Sequence, residues 1–207
     1  GGSGDDTITG GAGGDTLTTN GGFDAVFGGA GDDTIKFEGN MSLSDTADGG
    51  DGDDTLTATI GVATAQQLGA VTNVEIGTFT FTAAGSMNVS GDSYATINAI
   101  GSAAIDIDNI ATGINVALED DTNTAVALDY VAGATANIQI GETGATTGLT
   151  TFAVTDAKVV NISTQGGADT TIAGATTLDS ADTETLSITA GVAASGITFA
   201  AALAADD

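Results

Sequence analysis

A nine-residue pattern, G-G-x-G-x-D-x-U-x with U a large apolar residue, governs the first quarter of this 207-residue chain. Gly1-Gly-Ser-Gly-Asp-Asp-Thr-Ile-Thr9 fits it, and Gly10-Gly-Ala-Gly-Gly-Asp-Thr-Leu-Thr18 fits again. Thr19-Asn-Gly-Gly-Phe-Asp-Ala-Val-Phe27 is a degenerate copy that keeps Gly22, Asp24 and Val26. Gly28-Gly-Ala-Gly-Asp-Asp-Thr-Ile-Lys36 is complete. Residues 37–48 interrupt the series, and Gly49-Gly-Asp-Gly-Asp-Asp-Thr-Leu-Thr57 restores it. A flexible linker has no reason to hold Asp and an apolar residue at one fixed phase. Glycine at positions one, two and four permits positive φ and a tight turn that exposes main-chain carbonyls. The x-U-x triplet is a short strand with U turned inward. One repeat is then half a coil, and 18 residues make a full coil in which Ile8, Leu17, Val26, Ile35 and Leu56 fill a thin core between two parallel sheets.

The charge balance limits the partners. The chain carries 28 acidic and 2 basic residues, a formal charge of −26. Nothing here can neutralise phosphates, so nucleic acid is excluded, and an anionic membrane surface repels the chain. Self-repulsion strains any compact state, and multivalent cations are the natural counter-charge. The acids crowd into residues 1–57, which hold 12 of them. There is no Cys and no His, which removes disulfides, zinc and copper sites, and Ser-His or Cys-His nucleophiles. Carboxylate pairs of the glycosidase kind have no distinguishing context, so no enzymatic activity is expected. No apolar run approaches ~18 residues, so no transmembrane helix is expected. Gly1 opens in mid-motif, and the chain reads as a segment of a longer protein.

The tandem nonapeptides resemble the RTX (repeats-in-toxin) calcium-binding repeat, over about a quarter of the chain. The resemblance implies a parallel β-roll that binds Ca2+. One turn supplies oxygens from positions one, three and five, and the turn stacked beside it, two repeats later, supplies positions two, four and six. Carried over, the first site uses Gly1, Ser3 and Asp5 with Asn20, Gly22 and Asp24. The second uses Gly10, Ala12 and Gly14 with Gly29, Gly31 and Asp33, where Gly14 brings no carboxylate and water completes the shell. If residues 37–48 form a distorted half-coil, a third uses Gly28, Ala30 and Asp32 with Gly50, Gly52 and Asp54. Asp6 and Asp15 occupy ligand positions that need partner turns upstream, and Asp53 stands at position five of the last repeat. Phe37-Glu-Gly-Asn-Met-Ser42 cannot make a standard turn, so its side of the roll should carry fewer ions.

Beyond the repeats, residues 58–73 read as a transition, with Val62–Ala70 able to hold two helical turns. Residues 74–207 are rich in Thr and Ala. They alternate apolar and polar residues in short bursts, as in Ala104-Ile-Asp-Ile-Asp108 and Lys158-Val-Val-Asn-Ile162, which signals strands. A β-solenoid continuing the roll and an antiparallel β-sandwich both fit. The fold class is thus all-β, a parallel β-roll followed by a solenoid-like or sandwich region. Three phrases, starting at Val71, Val154 and Ser180, share a polar turn with Asn or Asp followed by an alternating strand. Asp106 and Asp108 fall on one strand face, and Glu119-Asp-Asp121 reads as an exposed turn.

RTX proteins are exported by Gram-negative bacteria and include toxins, proteases, lipases, adhesins and surface-layer proteins; the repeat does not choose among them. The almost lysine-free β region resembles calcium-dependent surface-layer proteins in style. The expectation is a secreted, extracellular structural segment at the cell surface that self-associates into a lattice. An adhesin repeat region, or the carrier of a hydrolase, is the alternative. Acid density with few large apolar residues predicts that residues 1–57 fold only with Ca2+, with affinity of roughly 10⁻⁴ to 10⁻³ M. Far-UV circular dichroism of this block should change from disordered to strand on passing from EDTA to millimolar Ca2+.

Overall fold

The x-U-x triplets become strands because each puts one apolar side chain inward between β-compatible neighbours. The computed structural model describes residues 1–61, 66–67, 69–101, 103–119, 122–141, 147–164, 170–172, 176–179, 185–189, 197–199 and 203–205. Consecutive strands of the repeats alternate between two sheets. Thr7–Ala12 lies parallel to Ala25–Ala30, with Ile8 opposite Val26. Thr16–Thr19 lies parallel to Thr34–Asn40, with Leu17 opposite Ile35. Equivalent backbone groups are therefore 18 residues apart, one coil per two repeats.

The interruption is a distorted half-coil. Thr46–Asp51 pairs with Ala25–Ala30, placing Ala47 opposite Val26. Thr55–Ile60 pairs with Thr34–Asn40, placing Leu56 opposite Ile35. The coil lengthens to 21 residues, and a register shift between Phe37 and Asn40 takes up part of the surplus as a bulge. Leu17, Val26, Ile35, Ala47 and Leu56 are buried, and Ile8 packs against them half-buried. The thin core read from the repeats is the core observed.

The roll does not stop at the last repeat. Thr55–Ile60 pairs with Ile76–Phe81, which pairs with Thr96–Gly101, which pairs with Asn115–Glu119, all parallel. Beyond these, Thr122–Ile140 and Thr147–Thr164 run side by side and bend through the coil corners. Every ladder among the described residues is parallel, so the described part of residues 74–207 continues as a β-solenoid and not as an antiparallel sandwich. The spacing between paired neighbours is 21, 20 and 19 residues through Ile76–Phe81, Thr96–Gly101 and Asn115–Glu119, and then widens to 24 and 26. Phe79, Phe81, Ile97, Ile107, Leu128, Tyr130 and Phe152 are all inside.

Two smaller expectations resolve differently. The stretch Val62–Ala70 is not helical where it is described. Gln66–Gln67 forms a short strand paired with Met87 and Asn88, because a neighbouring parallel strand outcompetes a two-turn helix with no cap; residues 62–65 and 68 lie outside the described residues. Of the three similar phrases, Asn73 and Asp156 occupy matching left-handed turn positions, φ 50° and 61°. The third phrase's turn, residues 180–184, lies outside the described residues. Among the described residues no helix is long and apolar enough to cross a membrane.

Stacking this close requires glycine. Gly29 and Gly50 have φ of 122° and 105°, and a Cβ on either would land on the carbonyl oxygen of the glycine one coil below, Gly11 or Gly29. Gly2, by contrast, has open space around it. Gly50→Ala should therefore cost about 3 kcal/mol or more from backbone strain and overlap together. Gly2→Ala should be neutral within about 0.5 kcal/mol. Denaturant melts in saturating Ca2+ compare the two.

Candidate calcium sites between stacked turns

Each six-residue turn of the repeat leaves one sheet and enters the other, and coil stacking lays successive turns in register. Position six ties them together. Its carboxylate reaches back to accept the N–H of the position-six residue one coil earlier. Asp6 N–H donates to Asp24 Oδ1 at 2.9 Å and Asp24 N–H to Asp45 Oδ1 at 2.8 Å. On the opposite edge, Asp15 N–H donates to Asp33 Oδ1 at 2.7 Å and Asp33 N–H to Asp54 Oδ1 at 2.7 Å. Position five reaches forward instead. Asp5 Oδ1 accepts from Phe23 N–H at 2.9 Å, and Asp32 Oδ1 accepts from Asp53 N–H at 3.0 Å. Two carboxylates thus converge on the space between a pair of turns, one from each coil.

The second oxygen of position six defines what that space wants. Oδ2 of Asp15, Asp33 and Asp54 is buried and has no hydrogen-bond partner. Each lies against the position-one glycine of its own turn, at 2.7 Å from where a Gly10 Cβ would stand, and nearer still at Gly28. Burial raises the Asp54 carboxyl above its ordinary range; the Asp33 N–H opposes this, and the charges of Asp33, Glu75 and Asp32 add to the rise. A buried charged oxygen without a partner needs a cation. No trio of carboxylates converges among the described residues, which leaves main-chain carbonyls and water to complete a shell. Carboxylate and carbonyl oxygens in a glycine-lined cradle suit Ca2+, which accepts six to eight oxygens in flexible geometry.

The three expected ligand sets face each other as the coil register requires. Gly1, Ser3 and Asp5 lie against Asn20, Gly22 and Asp24, where the Asn20 amide also donates to the Gly1 carbonyl at 3.0 Å. Gly10, Ala12 and Gly14 lie against Gly29, Gly31 and Asp33, with Ala12 opposite Ala30. Gly28, Ala30 and Asp32 lie against Gly50, Gly52 and Asp54, the only set with a carboxylate from each turn on that edge. Asp6 is held within its own turn, its Oδ2 accepting from Gly2 N–H at 2.6 Å. Asp15 keeps a bare Oδ2 on the outer side of the stack. Asp53 faces a coil whose turn has shrunk to Asn73, Val74 and Glu75. Val74 is buried, Glu75 accepts the Asp54 N–H at 2.7 Å, and no position-two or position-four carbonyl opposes Asp53. The array on this edge ends there.

Asp45 was hidden in the interruption. Residues 40–48 form a degenerate repeat in which Asp45 takes position six and Ala47 the apolar position. The visible signal was Asp45-x-Ala47 directly ahead of Gly49-Gly50. Its Oδ2 differs from the others because Ser42 supplies both its N–H, at 2.6 Å, and its hydroxyl, at 2.9 Å. Met41 is fully buried in the same turn. This turn satisfies its own position-six carboxylate. Among other acids, Asp106 is raised by burial first and by Asp108 and Asp129 next, on the outer side of Ile105–Ile110. Asp120 and Asp121 lie outside the described residues.

This arrangement is that of a calcium-binding parallel β-roll. Residues 1–35 and 42–62 match the family model of the RTX calcium-binding nonapeptide repeat (4 copies). The matched stretches are RTX repeats, and such repeats bind Ca2+. The second matched stretch includes Asp45, in agreement with its place in the stack. No curated protein and no solved structure matched the chain.

Asp33 belongs to the position-six array, whereas Asp156 is an exposed turn acid. Asp33→Ala should lower both the number and the affinity of bound Ca2+ ions. Asp156→Asn, which keeps a residue tolerant of positive φ, should leave both unchanged. Calorimetric titration of the two variants checks this.

Proposed function

We propose that residues 1–57 hold Ca2+ in the three inter-turn sets named above, and that the chain is a structural segment of a secreted bacterial surface-layer or cell-surface matrix protein. RTX repeat proteins are typically secreted by Gram-negative bacteria, and the repeat itself is a calcium-binding element, not a catalytic one. The carrying observation is the buried, unpartnered Oδ2 of Asp33 and Asp54 within glycine-lined turns. Cytoplasm is poor in free Ca2+, so a chain with these sites stays open for export and closes outside, where the ion is abundant.

The matrix reading draws on the continuity of the sheet. One ladder runs from Thr16–Thr19 through the roll and on along the Thr/Ala-rich coils without a change of direction. Such a rod presents sheet edges and end coils that pair head-to-tail, and a heterologous contact that does not close gives ribbons or sheets. At −26 the copies repel each other until ions lower the charge. The intact parent protein should therefore assemble in Ca2+ and stay dispersed in EDTA. Mg2+ should substitute poorly, since it sheds its waters reluctantly and demands tighter octahedral geometry. Electron microscopy and light scattering in the three conditions decide it. Monomers throughout would favour an adhesin repeat region or a hydrolase carrier, and equal assembly in Mg2+ would mean charge screening alone.

A further inference from the structure

A carboxylate bond from coil to coil recurs outside the repeats, three residues ahead of the position-six place, which Ala95 occupies in this coil. Asp92 Oδ1 accepts the Val71 N–H at 3.3 Å across 21 residues, the same spacing at which Asp54 accepts the Asp33 N–H. Asp92 Oδ2 is buried and has no partner, as at Asp15, Asp33 and Asp54. The turn that carries it also stacks in the same way. Ser93 Oγ accepts the Val74 N–H at 3.1 Å, so residues 89–95 lie over the short Asn73–Glu75 turn, which itself lies over the last repeat. Gly91, with φ of 87°, and the Asp92 N–H donating to the Val89 carbonyl at 3.2 Å shape this turn. None of these residues lies in the matched repeats.

A second group points the same way. The Tyr94 hydroxyl is buried without a partner, on a side chain only 4% exposed. Its ring is fixed edge-on to Phe79, with centroids 5.7 Å apart. Tyr94 lies two residues beyond Asp92, and neither Asp92 Oδ2 nor the Tyr94 hydroxyl has a hydrogen-bond partner. Two buried polar oxygens on one short turn, each lacking a partner, are donors that an oxygen-seeking ion would satisfy. Burial pushes the Asp92 carboxyl up to about 6, with the Val71 N–H opposing.

We infer that Asp92 and Tyr94 form a further Ca2+ site, one coil beyond the shortened turn that ends the repeat array. Asp92 Oδ2 supplies the charge, the Tyr94 hydroxyl a neutral oxygen, and main-chain carbonyls of the turn the remainder. The inference rests on Ca2+ being the ion of the neighbouring turns.

The chain has two tyrosines and no tryptophan, which makes the site addressable by light. Tb3+, a luminescent stand-in for Ca2+, emits when an adjacent excited tyrosine passes energy to it. On the full chain, tyrosine-sensitised Tb3+ emission should be lost in Tyr94→Phe and retained in Tyr130→Phe. Asp92→Asn should abolish the emission and remove one Ca2+ ion per chain by calorimetry. Asp33→Ala should remove ions while the Tyr94-dependent emission persists, so failure of the repeat sites and failure of this one are distinguishable. Emission that does not depend on Tyr94, or an unchanged ion count in Asp92→Asn, overturns the site and leaves a buried protonated acid. Should Asp92→Asn fail to fold, the two tyrosine variants carry the test.

Discussion

The roll depends on a division of labour within one side chain. At Asp33 and Asp54 the position-six carboxylate gives one oxygen to the backbone of the coil before it and keeps the other free and buried. The first bond fixes coil register, because Asp54 can reach the Asp33 N–H only if the turns are stacked in phase. The second oxygen makes that register costly without an ion, since each unsatisfied buried polar group costs about 1–3 kcal/mol, and more when charged. Register and ion binding are thus properties of the same residue. The glycines follow from this, since turns stacked closely enough for the bond bring Gly50 onto the Gly29 carbonyl.

Along the chain the source of stability changes. In the repeats most strands bury a single apolar residue, as at Leu17 and Val26, and where Ala47 stands that residue is small. Past Leu56 the strands turn two or more inward: Leu56, Ala58 and Ile60, then Phe79 and Phe81, then Ile105 and Ile107. Widening coils make room for aromatic rings such as Phe152 and Tyr130. Each fully buried large side chain contributes about 1.5–3 kcal/mol. The later coils therefore bury more large apolar side chains than the first coils, whose turns carry the buried carboxylates. Both regimes share one parallel ladder, so the boundary between them is energetic and not topological.

Much of this was legible because the repeat states its own geometry. Nine residues with Gly at one, two and four and Asp at six specify turn, strand and stacking partner together, and the pairing of Gly29 with Gly50 across the interruption followed from counting alone. Legibility failed where one residue does a neighbour's work by different means. Asp45 has no flanking glycines; Ser42 replaces the ion, so the motif around it was free to drift. The Asn73–Glu75 turn drops three residues, yet the longer reach of Glu75 restores the bond to Asp54 N–H, and no pattern search for Asp finds it. Alternation in residues 74–207 specified strands but not their partners. Parallel and antiparallel packing bury the same alternate residues, and only the coil spacing favoured the solenoid. Gln66–Gln67 shows the limit of local propensity, since its partner Met87–Asn88 decides its conformation.

The short turn also bears on how the molecule folds. In a solenoid each coil touches only its neighbours, so stability is close to a sum of coil terms and interface terms. Ions between turns strengthen the interfaces among residues 1–57, and the effect reaches the later coils through one interface. That interface is specific. Asp54 N–H meets Glu75, Leu56 lies opposite Gly77, and Ile60 lies opposite Phe81. A loaded roll thereby offers the next coil a pre-set edge at the correct register. The alternating face of Ile76–Phe81 would otherwise specify register weakly, because its inward series begins with Gly77 and gains bulk only at Phe79. A one-residue slip there would turn Phe79 and Phe81 outward. The pairing of Thr55–Ile60 with Ile76–Phe81 thus sets the phase in which the hydrophobic coils stack.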